Sequence, residues 1–234
     1  GAAAAQSAAE ALEISGTIGY PVVLKVLSPE VVHKSDAGGV KLNLENAAAV
    51  KRAYNEIIKT FTGKKLAGVA VQKMAPPGLE AIVGISRDPT FGPVLMFGLG
   101  GVFVEVLKDV SFRILPVKDE DIEEMIKEIR GYTLLRGYRG TAVDLPALKE
   151  LLGRLSALAI SRPEISEVDL NPVFLYPAGN IAVDARIFLE KPEKTESPKA
   201  DLRRDKTSLK KLFYPQSIAV VGASNNPGKL GWNV

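Results

Sequence analysis

A lysine inside an apolar run, a single histidine beyond it and a pair of glycines after that form a set suited to handling phosphate. Lys25 interrupts Val22-Val23-Leu24-Lys25-Val26, and burying an ammonium there is costly unless an anion receives it. The plainer alternative is that its long stem carries the charge to an edge. Ser35-Asp36-Ala37-Gly38-Gly39 offers backbone N–H groups with no bulk at two successive positions, which suits a loop folded over phosphates. Ser35, Gly38 and Gly39 are therefore candidate nucleotide ligands beside Lys25. His33 is the only histidine in the chain. A lone histidine commonly serves structure, but a neutral imidazole is a competent phosphoryl acceptor, and beside a phosphate loop is where such a nucleophile must stand.

Glu167-Val168-Asp169-Leu170-Asn171-Pro172 and Ala182-Val183-Asp184-Ala185-Arg186 place two acids and an amide on neighbouring strands. Asp169, Asn171 and Asp184 are hard oxygen donors suited to Mg²⁺, which keeps several waters and takes one or two protein carboxylates when it bridges nucleotide phosphates. Asp169 and Asn171 share a strand face by alternation, and Asp184 sits among apolar neighbours where an unpaired carboxylate is expensive. The alternative is a turn-capping Asn171 with solvated acids. Gly98, Gly100 and Gly101 either permit a tight bend or, with Glu80, Glu105 and Arg113, line a nucleotide pocket in which Arg113 neutralises the transferring phosphoryl group. Gln72 and Met74, just before Pro76-Pro77-Gly78, either end a strand or present polar backbone and an apolar thioether to adenine.

The elements that must position these groups follow from periodicity and turn chemistry. Ala2 to Ser15 has helical composition, and strands are expected at Val22 to Val26 and Val40 to Leu44 around a loop from Leu27 to Gly39. A helix follows, capped by Asn46 and running to about Lys59. Further strands are expected at Leu66 to Met74, Leu79 to Ser86, Val94 to Phe97 and Phe103 to Leu107, with helices at Lys118 to Arg130 and Leu145 to Ser161. A strand pair, Glu167 to Leu175 and Asn180 to Leu189, closes an α+β domain with a largely antiparallel sheet over residues 1–189. Residues 190–207 read as a charged linker, since eleven of the seventeen residues from Glu190 to Lys206 are charged. Residues 208–234 then open a Rossmann-like βα unit at Ser217 to Ser224.

The chain has 234 residues, 30 basic against 27 acidic for a net charge of +3, and no cysteine. The two signs alternate without forming a basic stripe, so no nucleic-acid partner is expected. Disulfides and cysteine chemistry are excluded, which suits a cytoplasmic enzyme. The uncharged run Pro89 to Val104 is broken by glycines and falls short of a membrane span.

Gly19-Tyr-Pro-Val-Val-Leu-Lys25, His33-Lys-Ser-Asp-Ala-Gly-Gly-Val40, Asp88-Pro-Thr-Phe-Gly-Pro-Val94 and Gly98-Leu-Gly-Gly-Val-Phe-Val-Glu105 together closely resemble the β subunit of ADP-forming acetyl-CoA synthetases. Leu134-Leu-Arg-Gly-Tyr-Arg-Gly140 and Asp169-Leu-Asn-Pro172 extend the resemblance to about residue 189. The resemblance implies an ATP-grasp fold in which Lys25 contacts nucleotide phosphates, Asn171 and Asp184 hold Mg²⁺, and His33 relays phosphate. It implies a reversible conversion of acyl-CoA, phosphate and ADP to acid, CoA and ATP through an acyl phosphate and phosphohistidines.

Leu212-Phe-Tyr-Pro-Gln-Ser-Ile-Ala-Val-Val-Gly-Ala-Ser224 through Gly231 is similar to the opening of the same family's CoA-binding α-subunit domain, which would bring Gly222, Ser224 and Lys229 to CoA. The family's preceding N-terminal segment and its CoA-ligase domain have no counterpart in these residues. The expectation is that they do not complete acyl-CoA turnover alone and need an α-type partner in a hetero- or homo-oligomer. Two rivals stand beside this reading: an ATP-grasp carboxylate–amine ligase, which needs no phosphohistidine, and a non-catalytic nucleotide sensor of the kind fused to acetyltransferases.

Overall fold

The computed structural model describes residues 1–31, 37–101, 104, 106–138, 140–190, 213, 214, 216 and 217. At the N-terminus, alanine's helical preference yields to strand pairing. Ala2–Ala5 form β1, matched antiparallel to β4 (Gly68–Lys73), and α1 spans only Ala8–Ile18. Ser7 fixes that start: its hydroxyl accepts from the Glu10 amide at 3.2 Å, and the Gln6 amide donates to Glu10 Oε2 at 2.7 Å. The helix expected from Ala2 is therefore a strand followed by a shorter helix.

Four antiparallel strands make the first sheet, in the order β1-β4-β2-β3, with β2 at Val22–Leu27 and β3 at Val40–Leu44. The α2 helix (Ala47–Thr60) begins where Asn46 accepts from the Ala49 amide at 2.9 Å. Val50, Ala53, Tyr54 and Ile57 recur at helical spacing and bury one stripe. They pack with Val22, Leu24, Val26, Val69 and Val71, so both helices cover one face of this sheet and leave Val23, Lys25, Ala70 and Gln72 on the other. Asn46→Ala is expected to lower stability by about 1 kcal/mol, read as a lower urea midpoint with an unchanged slope.

The second sheet has the order β10-β8-β5-β6-β7, with β9 also paired to β8. Its strands are β5 (Leu79–Asp88), β6 (Gly92–Leu99), β7 (Val110–Ile114), β8 (Ile165–Leu175), β9 (Asn180–Ala182) and β10 (Ala185–Leu189). Between β7 and β8 run α3 (Asp119–Glu128), the short α4 (Tyr132–Leu135) and α5 (Leu145–Ser161). Ala81, Val83, Ile85, Leu95, Phe97, Leu99, Val168 and Val173 meet Ile122, Met125, Leu148 and Leu152 in one core. Asp144 caps α5 through the Ala147 amide at 3.0 Å and also accepts from the Gly179 amide at 2.8 Å, tying the helix to the β8–β9 turn. These bonds hold its carboxyl below the ordinary aspartate range.

The strand expected at Phe103 to Leu107 is absent at the positions described there. The Val104 amide bonds back to the Gly101 carbonyl at 3.2 Å, and residues 106 and 107 form a turn. Gly101 and Lys108 bracket this stretch with positive φ, which breaks extended geometry, and the strand lies instead at Val110–Ile114.

Gly1–Glu190 form one compact unit and Lys191–Val234 a second. Most of the linker and of the Rossmann-like opening lies outside the described residues. Among the described residues no helix is long and apolar enough to cross a membrane.

Candidate functional site

The two sheets meet at Lys25. The side chain leaves the uncovered face of β2, only 6% exposed, and its Nζ donates to the Val183 carbonyl at 2.7 Å while standing 3.6 Å from Asp184 Oδ1. The strand pattern that made a buried lysine improbable is thus resolved by an anion and a carbonyl from the other sheet. Val40, which directly follows Gly38 and Gly39, is the cross-strand partner of Lys25. Gly38 adopts φ 75°, and the Gly39 carbonyl accepts from the Val26 amide at 2.8 Å. Gly38 and Gly39 therefore lie next to the residue paired with the lysine.

Asp184 owes its position to a break in pairing. Val183 and Asp184 separate β9 from β10, opposite a bulge in β8 where Val83 pairs with Leu170 but Ala81 with Val173. Two backbone bonds hold the break: the Asn171 amide donates to the Asp184 carbonyl at 3.3 Å, and the Val183 amide to the Pro172 carbonyl at 2.9 Å. Asn171 is exposed beside it.

Asp169 lies on the uncovered face of the second sheet in a cross-strand row: Arg186 pairs with Asp169, Asp169 with Gly84, Gly84 with Met96, and Met96 with Phe112. Burial pushes the Asp169 carboxyl up; the Asp184 charge adds to this and the Arg186 charge opposes it. A carboxylate with a raised value disfavours the folded state at neutral pH, and a cation held between Asp169 and Asp184 would relieve the burden. Two partly buried acids with the Asn171 amide alongside fit the sparse oxygen set that Mg²⁺ takes. Among the described residues no group of three or more His, Asp or Glu side chains converges as a metal cage.

Glu80 is on the same uncovered face, since its cross-strand partner is Phe174 and its neighbour Ala81 points into the core. A Cβ at Gly100 would stand 2.9 Å from Glu80 Cβ, and the Gly100 amide donates to the Glu80 carbonyl at 2.8 Å. The glycine run thus allows its loop to lie directly on Glu80. Gln72 shares the uncovered face of the first sheet with Lys25, two positions from Ala70, the lysine's partner on β4. The Met74 amide is engaged by the Pro21 carbonyl at 3.0 Å, in the segment that joins the sheets.

Arg113 is not brought to this site. Its partner Leu95 is a core residue, so Arg113 shares the helix-covered face, where its guanidinium donates to Glu128 Oε2 at 2.7 Å and to the Phe112 carbonyl at 2.9 Å. Phe112 and Ile114, not Arg113, look out from the other side. The phosphoryl-neutralising role expected of Arg113 is corrected accordingly. His33, Ser35, Glu105, Gly222, Ser224 and Lys229 lie outside the described residues. Arg186 carried no role in the sequence reading, and its pairing with Asp169 puts it on the site's side. One surface groove of about 490 Å³, lined by Asp119, Ile122, Lys149 and Arg154, opens between α3 and α5, away from Lys25 and Asp184.

A family model described as an ATP-grasp domain matches residues 1–189. The chain is 50% identical over 190 residues to the β subunit of acetate–CoA ligase (ADP-forming) I of Pyrococcus furiosus, covering 79% of this chain and 82% of that one. It is 45% identical over 225 residues to acetate–CoA ligase (ADP-forming) II of Archaeoglobus fulgidus, covering 96% of this chain but 32% of that longer protein. Among solved structures it is similar to an acetyl-coenzyme A synthetase 1 of Ca. Korarchaeum cryptofilum in complex with coenzyme A and Ca-AMPCP. The TM-score is 0.79 at 50% identity, over 81% of this chain and 85% of that one. A second structure of that enzyme holds coenzyme A and Mg-AMPPCP with its phosphohistidine segment pointing towards the nucleotide-binding site, at TM-score 0.70 and 51% identity over 80% of this chain and 84% of that one. The chain therefore belongs to the ATP-grasp domain family, as the β-subunit type of the ADP-forming acetyl-CoA synthetases.

Proposed function

We propose that this chain is the nucleotide-binding part of an ADP-forming acyl-CoA synthetase and moves a phosphoryl group between a histidine and ADP. The observation that carries the reading is the meeting of Lys25 from one sheet with Val183 and Asp184 from the other, with Asp169 and Arg186 beside them. Positive and negative groups alternate there, as a metal–nucleotide complex requires: cations meet phosphate oxygens and carboxylates meet the metal. Lys25 binds nucleotide phosphates, while Gly38, Gly39 and Ser35 close the loop over them. Gln72, Met74, Glu80 and Glu105 line the nucleotide's remaining surface. Asp184, Asn171 and Asp169 are the groups that would hold Mg²⁺. When bound, that ion would supply charge neutralisation to the phosphates.

In this reading His33 attacks the terminal phosphorus of ATP through an imidazole nitrogen. A P–N bond forms as the P–O bond to ADP breaks, and ADP departs with the electron pair. The reverse step returns the phosphoryl group to ADP. An α-type partner takes the group onward and contributes the acyl site. Gly222, Ser224 and Lys229 would face CoA in the unit that follows residue 207. The assembly is a hetero- or homo-oligomer, because the relay needs a second histidine from the α-type partner, and its place is the cytoplasm.

Mixing this chain with its α-type partner should yield ATP from acetyl-CoA, phosphate and ADP, and EDTA should abolish that yield. Neither component alone should sustain it. Sustained ATP formation by the purified chain alone would defeat the division of labour, and nucleotide binding without ATP formation in the mixture would favour a sensor.

A further inference from the structure

Arg186 is half-buried on β10, next to Asp169 in the cross-strand row and two residues beyond Asp184. An arginine so placed normally spends its donors on a carboxylate fork or on carbonyls. Here the guanidinium makes no hydrogen bond and no ion pair within 4 Å with a described residue, although the Asp169 charge acts on it at longer range. The Arg113 guanidinium, on the other face of the same sheet, is instead engaged by Glu128 and a carbonyl. A half-buried planar fork of N–H donors, on the sheet face of Asp169 and without an acceptor among the described residues, is prepared for an external anion with paired oxygens.

We propose that Arg186 binds the terminal phosphoryl group of the nucleotide, supplying the second cation of the site opposite Lys25. This rests on the phosphate-handling reading above and adds a residue and a role to it. Lys25 is committed in part to Val183 and Asp184, so it is a point charge held in place. Arg186 is the group whose donors remain available, and its fork geometry suits two phosphoryl oxygens at once. Charge on those oxygens redistributes during transfer, so the contact belongs to the reacting group more than to the nucleoside. Met96 and Phe112, further along the row, are apolar and leave Arg186 the one cation of that row.

The test uses the whole protein with its partner subunit and compares Arg186→Gln and Arg186→Lys with wild type. Calorimetry measures binding of AMP, ADP and AMPPCP with Mg²⁺, and single-turnover labelling follows transfer from γ-labelled ATP. Arg186→Gln should weaken AMPPCP binding roughly tenfold or more while leaving AMP binding within about threefold. Transfer should slow on the order of 10²-fold, with partial recovery in Arg186→Lys. Equal loss of AMP and AMPPCP binding together with a lowered melting temperature would assign Arg186 a structural role and overturn the proposal, as would unchanged AMPPCP binding. The ratio of AMPPCP to AMP affinity decides Arg186 on its own, whereas absence of acid-labile label in the wild type would count against the histidine relay alone.

Discussion

Lys25→Met is expected to slow phosphoryl transfer by about 10²–10³-fold, the range found when one preorganised donor to a developing charge is removed. Methionine keeps the length and apolar stem, so the buried strand position remains filled. What disappears is the only ammonium of β2, together with its bond to the Val183 carbonyl and its pairing with Asp184. The loss should appear both in AMPPCP affinity and in the rate of the chemical step, because the lysine serves the phosphates before and during transfer. Lys25→Arg should not restore the rate, since a forked guanidinium does not fit a position built for a compact charge flanked by Ala70 and Val40. Circular dichroism should show a folded variant, because Asp184 retains about a quarter of its side-chain exposure and is reached by water. A Lys25→Met protein that transfers phosphate at the wild-type rate would remove Lys25 from the site.

Much of this arrangement is legible in the sequence. Lys25 within an apolar strand, and Asp184 among apolar neighbours, were each too costly alone, and the structure pairs these two. Asn46 announced α2 because its side chain can satisfy an orphan amide, and α5 was bounded at Leu145 and Ser161 by its apolar period. Other features were written locally but in a competing signal. Ser7-Ala-Ala-Glu10 is a helix-start signature, yet the alanines before it suggested a helix already under way. Those alanines form a strand because β4 offers a partner edge, a tertiary gain that overrides a weak local preference.

Arg113 shows why the faces of a sheet are harder to assign than its strands. Val110-Ser-Phe-Arg-Ile114 alternates cleanly, and alternation alone sends the apolar set inward. The structure does the reverse: Ser111 reaches the Met125 carbonyl at 2.8 Å and Arg113 reaches Glu128, while Phe112 and Ile114 are each 52% exposed. Helix α3 supplies the acceptors that make the polar face the covered one, and the alternation within β7 does not encode them. The break at Val183 and Asp184 was equally hidden, since a bulge depends on the register between strands and not on either strand's own sequence.

The central claim is that a phosphoryl group passes through a histidine, and His33 is the one histidine in the chain. His33→Ala is expected to remove the acid-labile label completely, because no second imidazole in the chain can accept the group. Nucleotide binding should survive, since Lys25, Asp184 and the glycine loop are untouched. The direct measurement is transfer from γ-labelled ATP with Mg²⁺ in the full-length protein with its partner, comparing wild type with His33→Ala and separating label on this chain from label on the partner. The account predicts acid-labile, base-stable label on this chain in the wild type and none on this chain in the variant; undiminished label in His33→Ala, or a wild type that binds ATP and never becomes labelled, would contradict it.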